Sequence, residues 1–111
     1  MSLVIQKSSL FHTDVTNQFA WYFDEAGEKL AWQFFQAVDQ TLQKLSHQPD
    51  LGRVRHFRNP VLHGLRSFRV EPPFQRLLIF YRHDNMELFT ERLIHGARNL
   101  PRRLAEPPDS V

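Results

Sequence analysis

Between Leu30 and Leu45 the chain sets Leu30, Ala31, Phe34, Phe35, Val38, Leu42 and Leu45 on one helical stripe. A helix with so wide an apolar side must lie against a second layer. Upstream, Val15, Phe19, Tyr22 and Phe23 recur at helical spacing and predict a first helix over 14–24. Thr13 or Asp14 is expected to cap its start by accepting an orphan amide. Glu25-Ala26-Gly27 interrupts the pattern, with Gly27 as a left-handed cap. The second helix should stop near Ser46, because Pro49 and Gly52 cannot continue it. The link is short, so the two helices form an antiparallel hairpin.

The second layer is read from the strands. Leu3-Val4-Ile5 is a short apolar run ahead of the helices. Residues 51–64 read as irregular and basic, with Pro60 and Gly64 as breakers. Leu65 to Val70 alternates, with Phe68 and Val70 on one face and Ser67 and Arg69 on the other. Glu71-Pro72-Pro73 ends that strand, since proline lacks the N–H a ladder needs. Arg76 to Arg82 is the most apolar strand and is expected at the centre; His83 to Met86 turns it into a last strand, Glu87 to His95. The order β-α-α-β-β-β predicts an α+β domain over 1–104. It has an N-terminal strand, a helix hairpin and a three-stranded antiparallel sheet, and Asn99-Leu100-Pro101 leads into a loose tail over 105–111. The helices should cover one sheet face, leaving the other as an open groove of polar and arginine side chains.

With 111 residues the chain fits one domain, and 10 Phe, 2 Trp and 2 Tyr suit a small ring-rich core. The absence of cysteine excludes disulfides and thiol chemistry. No apolar run approaches membrane-spanning length and no leader pattern opens the chain, so a cytoplasmic protein is expected.

The net charge of +2 conceals a segregation. Residues 1–50 carry three Lys against six acids, and residues 51–111 carry eleven Arg against six acids. Arginine offers forked contacts to phosphate and carboxylate, so the second half predicts an acidic partner.

Four strings carry a family resemblance. Gly64-Leu65-Arg66-Ser67-Phe68-Arg69-Val70 resembles the Gly-x-Arg strand of RelE/ParE toxins, and Arg76 to Arg82 resembles their strand ending in Ile-x-Tyr-Arg. Leu93-Ile94-His95-Gly96-Ala97-Arg98-Asn99 is similar to the signature closing the last strand in ParE-like members. Leu42 to Gly52 resembles the family connection Leu-x-x-Leu-x-x-x-Pro-x-x-Gly. Together they span roughly residues 3–104 in family order. The resemblance implies the toxin of a type II toxin–antitoxin pair, silenced by an antitoxin that wraps it, and the arginine-rich half predicts that this antitoxin is acidic. The resemblance implies no cofactor. Closest to ParE-like members, the chain is expected to stop growth by binding and poisoning DNA gyrase, not by catalysis of its own. The alternative is a RelE-like, ribosome-dependent mRNA interferase acting on ribosome-bound mRNA; a decayed toxin that retains only antitoxin binding is a third possibility.

RNA cleavage needs a base for the 2′-OH, cations for the phosphate and an acid for the leaving oxygen. Under the alternative, Arg66, Arg76 and His95 would fill these roles. However, no Lys follows Lys44 and no Tyr follows Tyr81. Arg53, Arg55 and Arg58 stand where interferases carry a lysine pair, and arginine is a poor base. His95 is the strongest proton-transfer candidate, ahead of His63 and His56; its bland role is a strand-end hydrogen bond. Arg66 equally suits a structural part at the sheet rim, bracing the C-terminal segment. The set expected to meet target or antitoxin is Arg66, Arg69, Arg76, Arg92, His95, Arg98, Arg102 and Arg103. Rings near a sheet edge beside Arg98, Arg102 and Arg103 would suit an antitoxin helix. No glycine-rich phosphate loop, metal-ligand set or Ser-His-Asp elbow is present. The arginine-rich half also admits direct nucleic-acid binding, with Phe57 and Phe68 as the sparse interleaved rings.

Overall fold

The long apolar stripe does form one helix, and a computed structural model describing residues 2–96 and 100–105 shows what it lies against. Strand β1 (Val4–Lys7) leads directly into α1 (Ser9–Ala26), and α2 (Glu28–His47) follows. A 3-10 turn (Pro49–Leu51), strand β2 (Arg53–Val54) and a second 3-10 turn (Pro60–Leu62) come next. Strands β3 (Arg66–Arg69), β4 (Leu77–His83) and β5 (Glu87–His95) precede a short helix, α3 (Leu100–Ala105).

Helix α1 begins five residues before the expected start. Its cap is Ser8, whose Oγ accepts from the Phe11 amide at 3.0 Å and donates to the Glu91 carbonyl at 2.9 Å. Phe11 and Val15 extend the stripe toward the N-terminus, while Asp14 is a mid-helix residue and not a cap. Gly27 alone joins the helices; its amide donates to the Phe23 carbonyl, and its φ of +96° with ψ of 166° is open to glycine but lies outside the left-handed helical well. Phe19 meets Trp32 and Phe35, and Tyr22 meets Phe34, so the helices pack antiparallel.

The sheet has five strands in the order β1-β5-β4-β3-β2, not three. Strand β1 adds parallel to β5, and β2 adds antiparallel to β3 within the stretch expected to be irregular. Two paired residues are too few to alternate visibly, which hid β2. Strand β4 is central as expected. Opposite the junction of Phe80 and Tyr81 the register shifts, leaving Glu91 as the extra residue of a bulge in β5.

One face of the sheet packs Leu77, Ile79, Tyr81, Leu88 and Leu93 against the helix pair. The other face is not an open groove. Phe80 and Ile94 are buried there under Leu62, Leu65 and Leu104, with Phe57, Leu78 and Leu100 packed alongside. The 57–65 segment and α3 form this lid, so the arginines stand around the second core and not on a bare sheet. Helix α3 occupies the end of the expected domain and takes in Ala105, the first residue of the expected tail. Its apolar anchors are Leu100 and Leu104, one helical turn apart, which is too short a pattern to read as a helix. Residues 106–111 of the expected tail, and Arg98, lie outside the described residues.

Candidate functional site

Three of the four family strings converge on one latch at the end of β4. Tyr81 is fully buried, and its hydroxyl donates to the Pro49 carbonyl at 2.6 Å while accepting from the Gly52 amide at 2.8 Å. A Cβ at position 52 would collide with that ring, so only glycine fits. Burial raises the Tyr81 pKa, with the Gly52 amide and the Arg66 charge opposing, and keeps the hydroxyl a donor. Arg66, opposite Tyr81 in the ladder, donates to the carbonyls of Gly52 at 2.9 Å and Asp50 at 3.3 Å. It also pairs with the Asp50 carboxylate at 3.2 Å, and the same carboxylate oxygen meets His83 Nε2 at 2.9 Å. Arg66 therefore braces the turn after α2, not the C-terminal segment.

The next residue holds the opposite layer. Arg82 pairs with Glu91 and donates to the carbonyls of His63 and Val61 (2.6 Å), tying the bulge to the second 3-10 turn. Gly64 turns beside it with φ of +83°, and a Cβ there would sit 3.2 Å from the Arg82 guanidinium.

The three residues of the RNA-cleaving alternative are not brought together. Arg76 immediately precedes β4 and lies next to His95, which pairs with Leu77; the Gly96 amide donates to the Arg76 carbonyl at 2.6 Å. Arg66 is opposite Tyr81, five residues farther along β4, about 16 Å away at roughly 3.3 Å per residue. Arg76 and His95 are exposed at one end of the strand, and the Arg66 guanidinium is engaged at the other.

Arg92 leaves the expected partner-binding surface. It is buried against Asp14 of α1 and reaches the carbonyls of Arg103 and Leu104 in α3, so it braces the C-terminal segment. Sequence reasoning had no signal for this pair, whose members stand 78 positions apart. Arg69, Arg102 and Arg103 are exposed.

Among the described residues the most exposed rings lie on the helix pair, not beside α3. Trp21, Phe23, Trp32 and Phe35 are each about half exposed, and Trp32 and Phe35 border a cleft of about 300 Å³ between α1 and α2. Phe11, Val15, Phe19, Val38 and Leu42 line its apolar wall, while Lys7, His12 and Asp39 supply polar edges. Among the described residues no group of three His, Asp or Glu could hold a metal ion, and no helix is long and apolar enough to cross a membrane.

Comparison with known proteins agrees with this geometry. The model of the ParE toxin family of type II toxin–antitoxin systems, parDE, matches residues 5–100. No curated protein matches the chain. Among solved structures, the fold is similar to a chain of the chromosomal ParDE TA system from P. aeruginosa, with a TM-score of 0.69 at 16% identity, covering 86% of this chain and 98% of that one. The match takes in β1, the helix pair, the Tyr81 latch and the strands up to Leu100, and the chain therefore belongs to the ParE toxin family of type II toxin–antitoxin systems.

Proposed function

We propose that this toxin arrests growth in the cytoplasm by binding and poisoning DNA gyrase, and that an acidic antitoxin silences it. Family membership supports an inhibitory role. The gyrase target follows from the likeness to ParE toxins, and one observation favours action by binding over RNA cleavage: Arg66 stands about 16 Å along the sheet from Arg76 and His95 at roughly 3.3 Å per residue, and is engaged with Asp50 and Gly52. Cleavage of RNA requires base, cation and acid within reach of one phosphodiester. Action by binding makes no such demand.

The antitoxin reading draws on the cleft between α1 and α2. Aliphatic side chains of a partner helix would bury Trp32 and Phe35, whose present exposure is unusual for a small protein. Acidic residues flanking such a segment would meet the arginine-rich half.

The test is supercoiling of DNA by purified gyrase with and without this protein. Loss of supercoiling with trapped, cleaved DNA is expected. Intact supercoiling at high protein excess would overturn the reading for that gyrase.

A further inference from the structure

The motif network leaves one arginine cluster unexplained. After the Tyr81 latch the chain runs along the outer edge of the sheet, through β2, and places Arg53, Arg55 and Arg58 within six residues. A recess of about 380 Å³ opens there, lined by residues 54–58 and 63–64, with His56 and His63 among them and no carboxylate.

Arg55 is the fixed point of the cluster. Its Nε donates to Ser67 Oγ at 2.7 Å, and its guanidinium lies 5.9 Å from the centre of the Phe80 ring. These contacts hold a cation without neutralising it. Burial lowers the Arg55 pKa, and the neighbouring Arg53 charge lowers it further, so the two cations repel each other. Arg53 and Arg58 are exposed and make no ion pair among the described residues. Nearby acids have other partners: Asp50 holds Arg66 and His83, Glu91 holds Arg82, Glu71 holds Lys44, and Asp84 accepts from its own turn. Among the described residues the cluster therefore lacks an anion, and a ligand carrying several negative charges would relieve its repulsion.

We infer that this arginine edge grips the phosphate backbone of a DNA duplex. Arginines are well suited to phosphate oxygens, and several on one edge match a ligand with regularly repeated charge. A duplex fits better than a single strand, because single-strand sites stack bases on exposed rings. Here Phe57 packs partly into the second core and Phe80 is buried, so no exposed Phe, Tyr or Trp borders the recess, whose exposed rings are the smaller imidazoles of His56 and His63. The contact reads no sequence; it supplies affinity and orientation. It does not depend on gyrase being the target.

Binding of the full-length protein to a fluorescent DNA duplex of mixed sequence, measured by anisotropy from 50 mM to 300 mM salt, tests this. Arg53→Gln/Arg58→Gln alters two exposed side chains and should leave the melting temperature unchanged. Each lost phosphate contact lowers the log–log salt slope by about 0.9, so the double variant should bind roughly 60-fold more weakly at 0.1 M salt. Lys29→Gln, on the helix pair, should match the parent. No duplex binding at 50 mM salt, or an unchanged slope in the double variant, overturns the inference. So does equal competition by polyglutamate at matched charge, which would assign the edge to an acidic polypeptide, or tighter binding to a single strand of the same length.

Discussion

Asp14 and Arg92 meet in a forked, buried ion pair, Nε to Oδ2 at 2.7 Å and Nη2 to Oδ1 at 3.1 Å. Strand β1 pairs with β5 only as far as Thr90, so the edge of β5 beyond it lacks a strand partner. Asp14 fills the gap, because Oδ2 also accepts from the Leu93 amide at 3.0 Å. Arg92 then carries the link on to the carbonyls of α3. One pair thus joins α1, β5 and α3. Removing one partner of such a pair leaves an uncompensated buried charge, at a cost of about 3–5 kcal/mol. Asp14→Ala and Arg92→Ala should each lower stability in urea unfolding by that order. Asp14→Leu/Arg92→Met should recover much of the loss, and a double variant no better than the singles would refute this account.

The Tyr81 latch makes a second prediction. Tyr81→Phe removes a donor from the Pro49 carbonyl and an acceptor from the Gly52 amide. Loss of a buried partner costs about 1–3 kcal/mol. The folded-state pKa is raised above 10.0, so this contribution is present below pH 10.0 and is lost as pH rises through the folded value. Alkaline unfolding of the parent should therefore have a component that Tyr81→Phe lacks. Gly52→Ala should be at least as damaging, through collision with the ring.

Acid acts on the hairpin between β4 and β5. Asp84 Oδ1 accepts from the amides of Met86 at 2.8 Å and Glu87 at 2.7 Å, and these bonds hold its carboxyl below the ordinary value of 3.8. The folded pKa is depressed, so the contribution is present above the ordinary value and is lost as pH falls through the folded one. The Met86 and Glu87 amide signals in an acid NMR titration should move with a midpoint below 3.8. In Asp84→Asn that transition should vanish.

His95→Ala separates the two modes of toxicity. Action by binding to gyrase predicts that growth arrest persists in cells expressing the variant. RNA cleavage predicts loss of activity by about two to four orders of magnitude, because proton transfer would lose its group.

The helix cleft should behave as an anchor site. Trp32→Ala and Phe35→Ala are expected to weaken capture of the antitoxin by about tenfold or more each, as for aromatic hot spots, while leaving growth arrest intact. Isothermal titration with the cognate antitoxin would check the first part. Unchanged affinity would move the interface elsewhere.

The resemblance was legible because its residues do structural work that few substitutes can do. Pro49, Gly52, Arg66 and Tyr81 form one latch, while Gly64 and Arg82 form another. Such strings identify a fold and carry little information about a target. That is why the family is legible in the chain, while the spacing of Arg66, Arg76 and His95 along the sheet is set by strand pairing.

Local pattern alone determined the helix pair, the central strand β4 and the hairpin with β5, since stripe, alternation and breakers act over a few residues. The charge segregation was also a property of sequence alone. Tertiary structure decided what depends on distant partners. It made β2 a strand by pairing it with β3, turned 100–105 into a helix by giving Leu104 a second core to enter, and buried Arg92 by placing Asp14 beside it. Two paired residues, two leucines one turn apart and an ion pair across 78 positions leave no periodic trace, because the free energy that selects them comes from contacts made only after the chain has folded.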